Sequence, residues 1–293
     1  MFKGLITATV TPFRSGKIDF ERYAKLIERQ IANGASGVVP VGTTGESATL
    51  SHAEHKECIE AAAAVCKNKI KVVAGAGSNS TAEAIDLALF AQKAGANAIL
   101  CVTPYYNKPT QEGLYQHYRA IALAIDIPIV IYNVPSRTGA DILPQTVCRL
   151  ADDFKNIVAI KEATGIMERA IAIGAARPNF TVLSGDDAIN YPIMANGGRG
   201  AISVTGNLLP DLVSACLDSA LKNDFAASKA LSDKLYAINK ALFIESNPIP
   251  VKAAMFVCGL LDSLEYRLPL CAPSAATMAE LEITLKNYET KGF

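Results

Sequence analysis

The feature that most constrains the fold of this chain is a rhythm. Short apolar runs begin near Gly4, Gly37, Lys71, Ala98, Ile127, Ile157, Phe180 and Gly200, 20 to 34 residues apart. Each interval has room for one strand, one amphipathic helix and two loops, the unit that joins parallel neighbours in a sheet. Eight such units predict an α/β chain folded as a (β/α)8 TIM barrel. Helix signals fall between the runs. Ser51, with Glu54 three residues on, makes a capping box. Thr81 to Gly95 carries apolar residues at Ala84, Ile85, Ala88 and Leu89 before a terminal glycine. Pro144 and Pro210 suit the first turns of later helices. Beyond the eighth unit the chain is rich in alanine, leucine and lysine and predicts three further helices, broken at Pro248 and Pro250. The expected organisation is a catalytic barrel over residues 1–223 and a helical extension over 224–293 packed on it.

An open, doubly wound sheet shares this rhythm, but its nucleotide fingerprint fails here. The loop after the third run, Gly75-Ala76-Gly77-Ser78-Asn79-Ser80, has serine where the third glycine belongs, and no Walker loop occurs. Gly197, Gly198 and Gly200 read as a turn feeding the last strand rather than a phosphate cradle. The start of the chain is apolar enough to suggest a signal peptide, yet Thr7, Thr9, Thr11 and Pro12 interrupt it, and a first strand is the better reading. No stretch of about 20 apolar residues is present, so no membrane span is expected.

Lys+Arg and Asp+Glu balance at 28 each, which argues against a nucleic acid or an acidic surface as partner. The expected substrate is small, with any charge met by one or two local residues. Seven cysteines without a CxxC pair predict reduced thiols and a cytoplasmic protein. Together with only three histidines they predict no metal site.

Lys161 ends the run Ile157-Val158-Ala159-Ile160, which reads as a strand buried on both faces. Burial disfavours an ammonium group and so favours the neutral amine, whose characteristic target is a ketone carbon, attacked to form a Schiff base. The plain alternative is a lysine that marks the strand end and pairs with Glu162. In a barrel, reacting residues gather at the C-terminal strand ends. Those ends supply Gly42-Thr43-Thr44-Gly45-Glu46, Thr103-Pro104-Tyr105-Tyr106, Tyr132 to Arg137, Lys161, Ser184-Gly185-Asp186-Asp187, and Ile202-Ser203. Each has a structural reading as well: a Gly-Thr turn, a core tyrosine, a surface arginine. Taken together, a lysine, a tyrosine able to move protons, hydroxyls and an arginine able to fork onto a carboxylate describe a Schiff-base enzyme acting on keto acids.

The chain resembles the dihydrodipicolinate synthase family, which includes N-acetylneuraminate lyase, over essentially its whole length. The resemblance rests on Gly42-Thr43-Thr44-Gly45-Glu46-Ser47, Thr103 to Asn107, Tyr132 to Gly139, Ile160-Lys161-Glu162-Ala163, Leu183 to Asp187, and Asn247-Pro248-Ile249-Pro250-Val251-Lys252. It implies that pyruvate forms the Schiff base on Lys161, that Tyr132 shuttles protons, and that Thr44 relays between Tyr132 and a Tyr106 supplied by another subunit. It implies further that Thr43 and Thr44 hold the pyruvate carboxylate, that Gly185 and the Ile202 carbonyl line the pocket, and that Arg137 holds the carboxylate of L-aspartate 4-semialdehyde. No cofactor is implied, and a homotetramer built as a dimer of dimers is.

Some family members are inhibited by L-lysine. The corresponding positions here are Ser47, Ala48, His52, His55, Asn79, Glu83 and Tyr105, which implies feedback inhibition. Without the resemblance, His52 and His55 are ordinary helix-surface residues. The competing readings are another pyruvate-type aldolase or lyase of the family, acting on N-acetylneuraminate or a keto-deoxy sugar, and a catalytically silent relative that binds a ligand. Arg137 and the Tyr105-Tyr106 pair favour a carboxylate-bearing aldehyde over a polyhydroxylated sugar.

Overall fold

Eight parallel strands close on themselves in the computed structural model of the chain, which describes residues 2–290 and 292. They are β1 (Gly4–Ala8), β2 (Gly37–Val39), β3 (Lys71–Gly75), β4 (Ala98–Val102), β5 (Ile129–Asn133), β6 (Ile157–Glu162), β7 (Thr181–Ser184) and β8 (Gly200–Ser203). Each pairs with its neighbour in sequence, and β1 closes the ring on β8 through the register Gly4↔Gly200 to Thr7↔Ser203. Helices fill the crossovers: α1 (Phe20–Ala32), α2 (His52–Cys66), α3 (Thr81–Lys93), α4 (Gln111–Ala124), α5 (Pro144–Asp153), α6 (Met167–Ala176), α7 (Asn190–Ala195) and α8 (Pro210–Leu221). Then come α9 (Phe225–Ala241), α10 (Ile249–Val257) and α11 (Ala275–Leu285). The fold is the expected (β/α)8 barrel with C-terminal helices.

Local chemistry sets these boundaries. The Ser51 side chain accepts from the Glu54 N–H while Glu54 accepts from the Ser51 N–H, so both members of the capping box are made. Pro144 and Pro210 open α5 and α8, where a missing N–H costs nothing. β5 begins at Ile129 rather than Ile127, because Pro128 cannot donate to a ladder. Its carbonyl accepts from Ile99, and the first strand amide to donate is that of Ile129, to Asn156. A two-residue hairpin, Phe13–Arg14 against Lys17–Ile18, was not foreseen, since strands that short carry no periodicity.

Side chains alternate across the barrel wall. In β5, Ile129 and Ile131 face the helices while Val130 and Tyr132 face the barrel axis. In β6, Ala159 faces the axis and Ile160 the helices, while Ile157 also lies on the helix side because the register against β5 shifts between Ile129 and Val130. The interior is a packed plug of Ile6, Val73, Leu100, Val130, Leu183 and Ile202. Burying each such aliphatic side chain contributes about 1.5–3 kcal/mol. The plug fills the barrel interior, and a cavity lies above it, at the C-terminal strand ends.

Candidate active site

That cavity has a volume of about 280 Å³ and is lined by Thr43, Thr44, Tyr132, Arg137, Lys161, Gly185, Asp186, Asn239, Lys240 and Asn247, among others. Tyr132 and Lys161 reach it for one reason. They are register partners on adjacent strands, each one pleat above an axis-facing residue of the plug, Val130 and Ala159. Lys161 is 5 % exposed, and its Nζ lies 4.3 Å from the centre of the Tyr132 ring. Among the described residues no carboxylate lies within ion-pair distance of that nitrogen.

The pairing of Lys161 with Glu162 is not found, because successive residues on a strand point to opposite faces. Glu162 faces outward, accepting from the Arg169 Nε at 3.2 Å and the Thr164 N–H at 2.9 Å. Asn133 and Asp141 complete this cluster behind β5 and β6. The Asn133 Nδ2 reaches both Asp141 (3.0 Å) and Glu162 (3.3 Å). Arg169 was not singled out in the sequence, and its only signal was a cation on α6 within reach of the Glu162 strand end. The arrangement fixes the two strand ends that carry Tyr132 and Lys161.

Thr43 and Thr44 lie on the turn Thr43–Gly45 after β2. The Thr44 Oγ1 accepts from the Asn247 Nδ2 at 3.0 Å. Arg137 sits on the single turn Pro135–Thr138 after β5 and donates to the Asn247 carbonyl at 3.1 Å. Gly185 continues β7 past a tight approach, where a Cβ would meet Ala163 at 2.6 Å and the Glu162 carbonyl at 2.9 Å, so no larger residue fits. Ile202 is buried one layer deeper in the barrel interior, and Val204 lines the cavity above it. Asp187 ties the ends of β7 and β8 together, accepting from the Val204 and Thr205 amides at 2.8 and 2.9 Å. Burial pushes the Asp186 carboxyl above its ordinary value.

Tyr106 stands apart. It is 88 % exposed, at φ 74° in the loop after β4, and does not line its own chain's cavity. The residues expected to take L-lysine are only partly in contact. His52 donates to Glu83 at 2.7 Å, and Glu83 also accepts from the Ser78 hydroxyl, which with His52 holds its carboxyl below the usual range. His55 is turned inward to the Gly75 carbonyl at 2.8 Å. Asn107 bridges this region by donating its Nδ2 to the Asn79 carbonyl at 2.9 Å and its N–H to Tyr105. Ser47 and Ala48 lie on the turn Ser47–Thr49 ahead of α2.

A closed (β/α)8 barrel whose polar residues converge on one cavity at the C-terminal strand ends is the architecture of a barrel enzyme. Residues 1–288 match the family model described as the dihydrodipicolinate synthetase family, and the chain belongs to that family. It is therefore an enzyme, a lyase of that family. A 4-hydroxy-tetrahydrodipicolinate synthase of Nitratiruptor sp. is 65 % identical over 98 % of this chain and 98 % of that protein. Two solved structures are similar at closely matching folds. One is a chloride-inhibited dihydrodipicolinate synthase of Acinetobacter baumannii complexed with pyruvate, with TM-score 0.95, 45 % identity, and 98 % and 99 % of the two chains covered. The other is an enzyme of that name from Cyanidioschyzon merolae with lysine bound, with TM-score 0.94, 36 % identity, and 98 % of each chain covered. Among the described residues no helix is long and apolar enough to cross a membrane.

Proposed function

We propose that the chain condenses pyruvate with L-aspartate 4-semialdehyde to 4-hydroxy-tetrahydrodipicolinate, the first committed step of diaminopimelate and lysine synthesis. The observation that carries this reading is the pair of register partners Tyr132 and Lys161 over one small cavity, with threonine hydroxyls and Arg137 around them. The Lys161 amine attacks the pyruvate ketone, and loss of water gives the imine. The protonated imine draws electrons from the adjacent methyl group, which loses a proton to give an enamine. The enamine carbon bonds to the aldehyde carbon, whose oxygen takes up a proton. The amino group of the second substrate then attacks the imine carbon, closes the ring and releases Lys161. Tyr132 moves the protons. Thr43 and Thr44 hold the pyruvate carboxylate, with Gly185 and the Ile202 carbonyl beside them. Arg137 takes the carboxylate of the aldehyde. No cofactor has a part in these steps.

Thr44 hands protons between Tyr132 and the exposed Tyr106 of a second copy, in a cytoplasmic homotetramer assembled as a dimer of dimers. L-lysine inhibits the enzyme at the cluster around Glu83, whose carboxylate would meet the ligand ammonium, a reading supported by the lysine-bound Cyanidioschyzon structure. The test is a two-substrate assay. Pyruvate consumption that requires L-aspartate 4-semialdehyde, with no pyruvate released from N-acetylneuraminate, is the expected result. Release of pyruvate from the sugar acid without condensation would overturn it.

A further inference from the structure

We propose that Asn247, from the C-terminal extension, is a positioning residue that fixes the direction of the Thr44 hydroxyl proton and holds Arg137 over the same cavity. This rests on the relay reading of Thr44 given above. Asn247 is 5 % exposed and lies in the segment between α9 and α10, some 200 residues from Thr44 in sequence. Its side chain and its backbone serve the two sides of the cavity at once. The Nδ2 donates to Thr44 Oγ1 at 3.0 Å, and the carbonyl accepts from Arg137 Nη2 at 3.1 Å. A threonine hydroxyl has one proton and two lone pairs. The amide N–H fills a lone pair, so the proton must be donated elsewhere. No second hydrogen bond to Thr44 Oγ1 occurs among the described residues. The proton is therefore left for the cavity that Thr44 shares with Tyr132.

Two further observations fit this role. The Asn247 Oδ1 is buried without a partner among the described residues, a costly state for an amide that serves structure alone. The segment is also braced. Glu46, two residues after Thr44, makes an ion pair with Lys252, five residues after Asn247, so the same two stretches of chain are tied twice. An asparagine is suited to the place because it donates without carrying charge. Aspartate has the same shape but, when ionised, only accepts, and would capture the proton that the relay needs.

The experiment uses the full-length protein with Asn247→Asp and Asn247→Ala, and reads kcat, KM for each substrate, the pH profile, and the pyruvate adduct trapped on Lys161 by borohydride. In Asn247→Ala, kcat falls about tenfold, the equivalent of one hydrogen bond, with KM for pyruvate little changed and the adduct still formed. In Asn247→Asp, kcat falls about 100-fold at neutral pH and recovers as pH is lowered and the new carboxyl regains a proton to donate. A purely structural role would not give that pH-dependent recovery. A kcat in Asn247→Ala within about twofold of the native value overturns the proposal, whether or not the aspartate variant folds. Loss of the adduct in Asn247→Ala also overturns it, since Asn247 would then be needed before proton relay. Native protein that gives no adduct on Lys161 defeats the relay reading as well, and is told apart from the other outcomes by that alone.

Discussion

Lys252 Nζ lies 2.5 Å from Glu46 Oε1, and both side chains are fully buried. The ammonium also donates to the Glu265 carbonyl at 2.6 Å and packs over the rings of Phe13 and Tyr266, while the second Glu46 oxygen accepts from the Arg267 N–H at 3.1 Å. Glu46 itself is in the left-handed region, at φ 55°, directly after the Thr43–Gly45 turn. The pair therefore fastens the C-terminal helices to the turn that carries the cavity's threonines. Removing one partner strands the other charge in the interior. Lys252→Met is expected to cost about 3–5 kcal/mol in urea unfolding, and adding Glu46→Gln to recover most of that. A double variant as unstable as the single one would show that the charges are not what holds the two segments.

Arg137 lines the cavity from the turn after β5, and among the described residues its side chain makes one hydrogen bond, to the Asn247 backbone carbonyl. Its other donors are available to a carboxylate. Arg137→Ala is expected to lower kcat/KM for L-aspartate 4-semialdehyde about 30-fold or more while the pyruvate adduct still forms. Steady-state kinetics together with trapping separate the two effects, and equal loss of both would contradict the assigned role.

Glu83 is a carboxylate held charged by Ser78 and His52 at the cluster proposed for L-lysine. Glu83→Gln keeps the shape and removes the charge. The lysine concentration that halves the rate is expected to rise about tenfold or more, with kcat in the absence of lysine preserved. A native enzyme whose rate is untouched by millimolar lysine would remove this site from the account.

His117 is buried between α3 and α4. Its Nδ1 lies 2.9 Å from the Thr81 hydroxyl, and its Nε2 has no partner among the described residues. Burial pulls its pKa down from 6.5 to about 4. Between those values the unfolded chain binds a proton that the folded chain refuses, so stability falls as pH drops through that window. The loss reaches about 3 kcal/mol near pH 4. Urea unfolding at pH 7 and pH 4.5 should show a smaller drop for His117→Asn than for the native protein. Identical drops would mean that His117 is not the group responsible.

The barrel was legible because its determinants are local. Apolar runs, capping residues and prolines each specify their own element, and the strand starts were met within two residues at Ile129 and within one at Thr181. The residues around Lys161 were also legible, since strand ends on one face of a barrel must converge. What was not legible depends on distance in sequence. Nothing near Asn247 or Lys252 says that they meet Thr44 and Glu46, about 200 residues earlier, and the prolines of Asn-Pro-Ile-Pro-Val-Lys read by themselves only as a break between helices. The resemblance covered that stretch without giving it a role. Arg169 was missed for the same reason, because its partner Glu162 is identified only once the strand alternation is known. Exposed residues such as Tyr106 carry no local signal that separates a subunit contact from a surface side chain.

The most direct measurement is reductive trapping. The protein is incubated with pyruvate and borohydride, its intact mass is taken, and the modified peptide is mapped. One pyruvate-derived adduct, on Lys161, absent from Lys161→Ala, is the expected result. An unmodified protein, or an adduct on another lysine, would contradict the assignment of Lys161 as the Schiff-base residue.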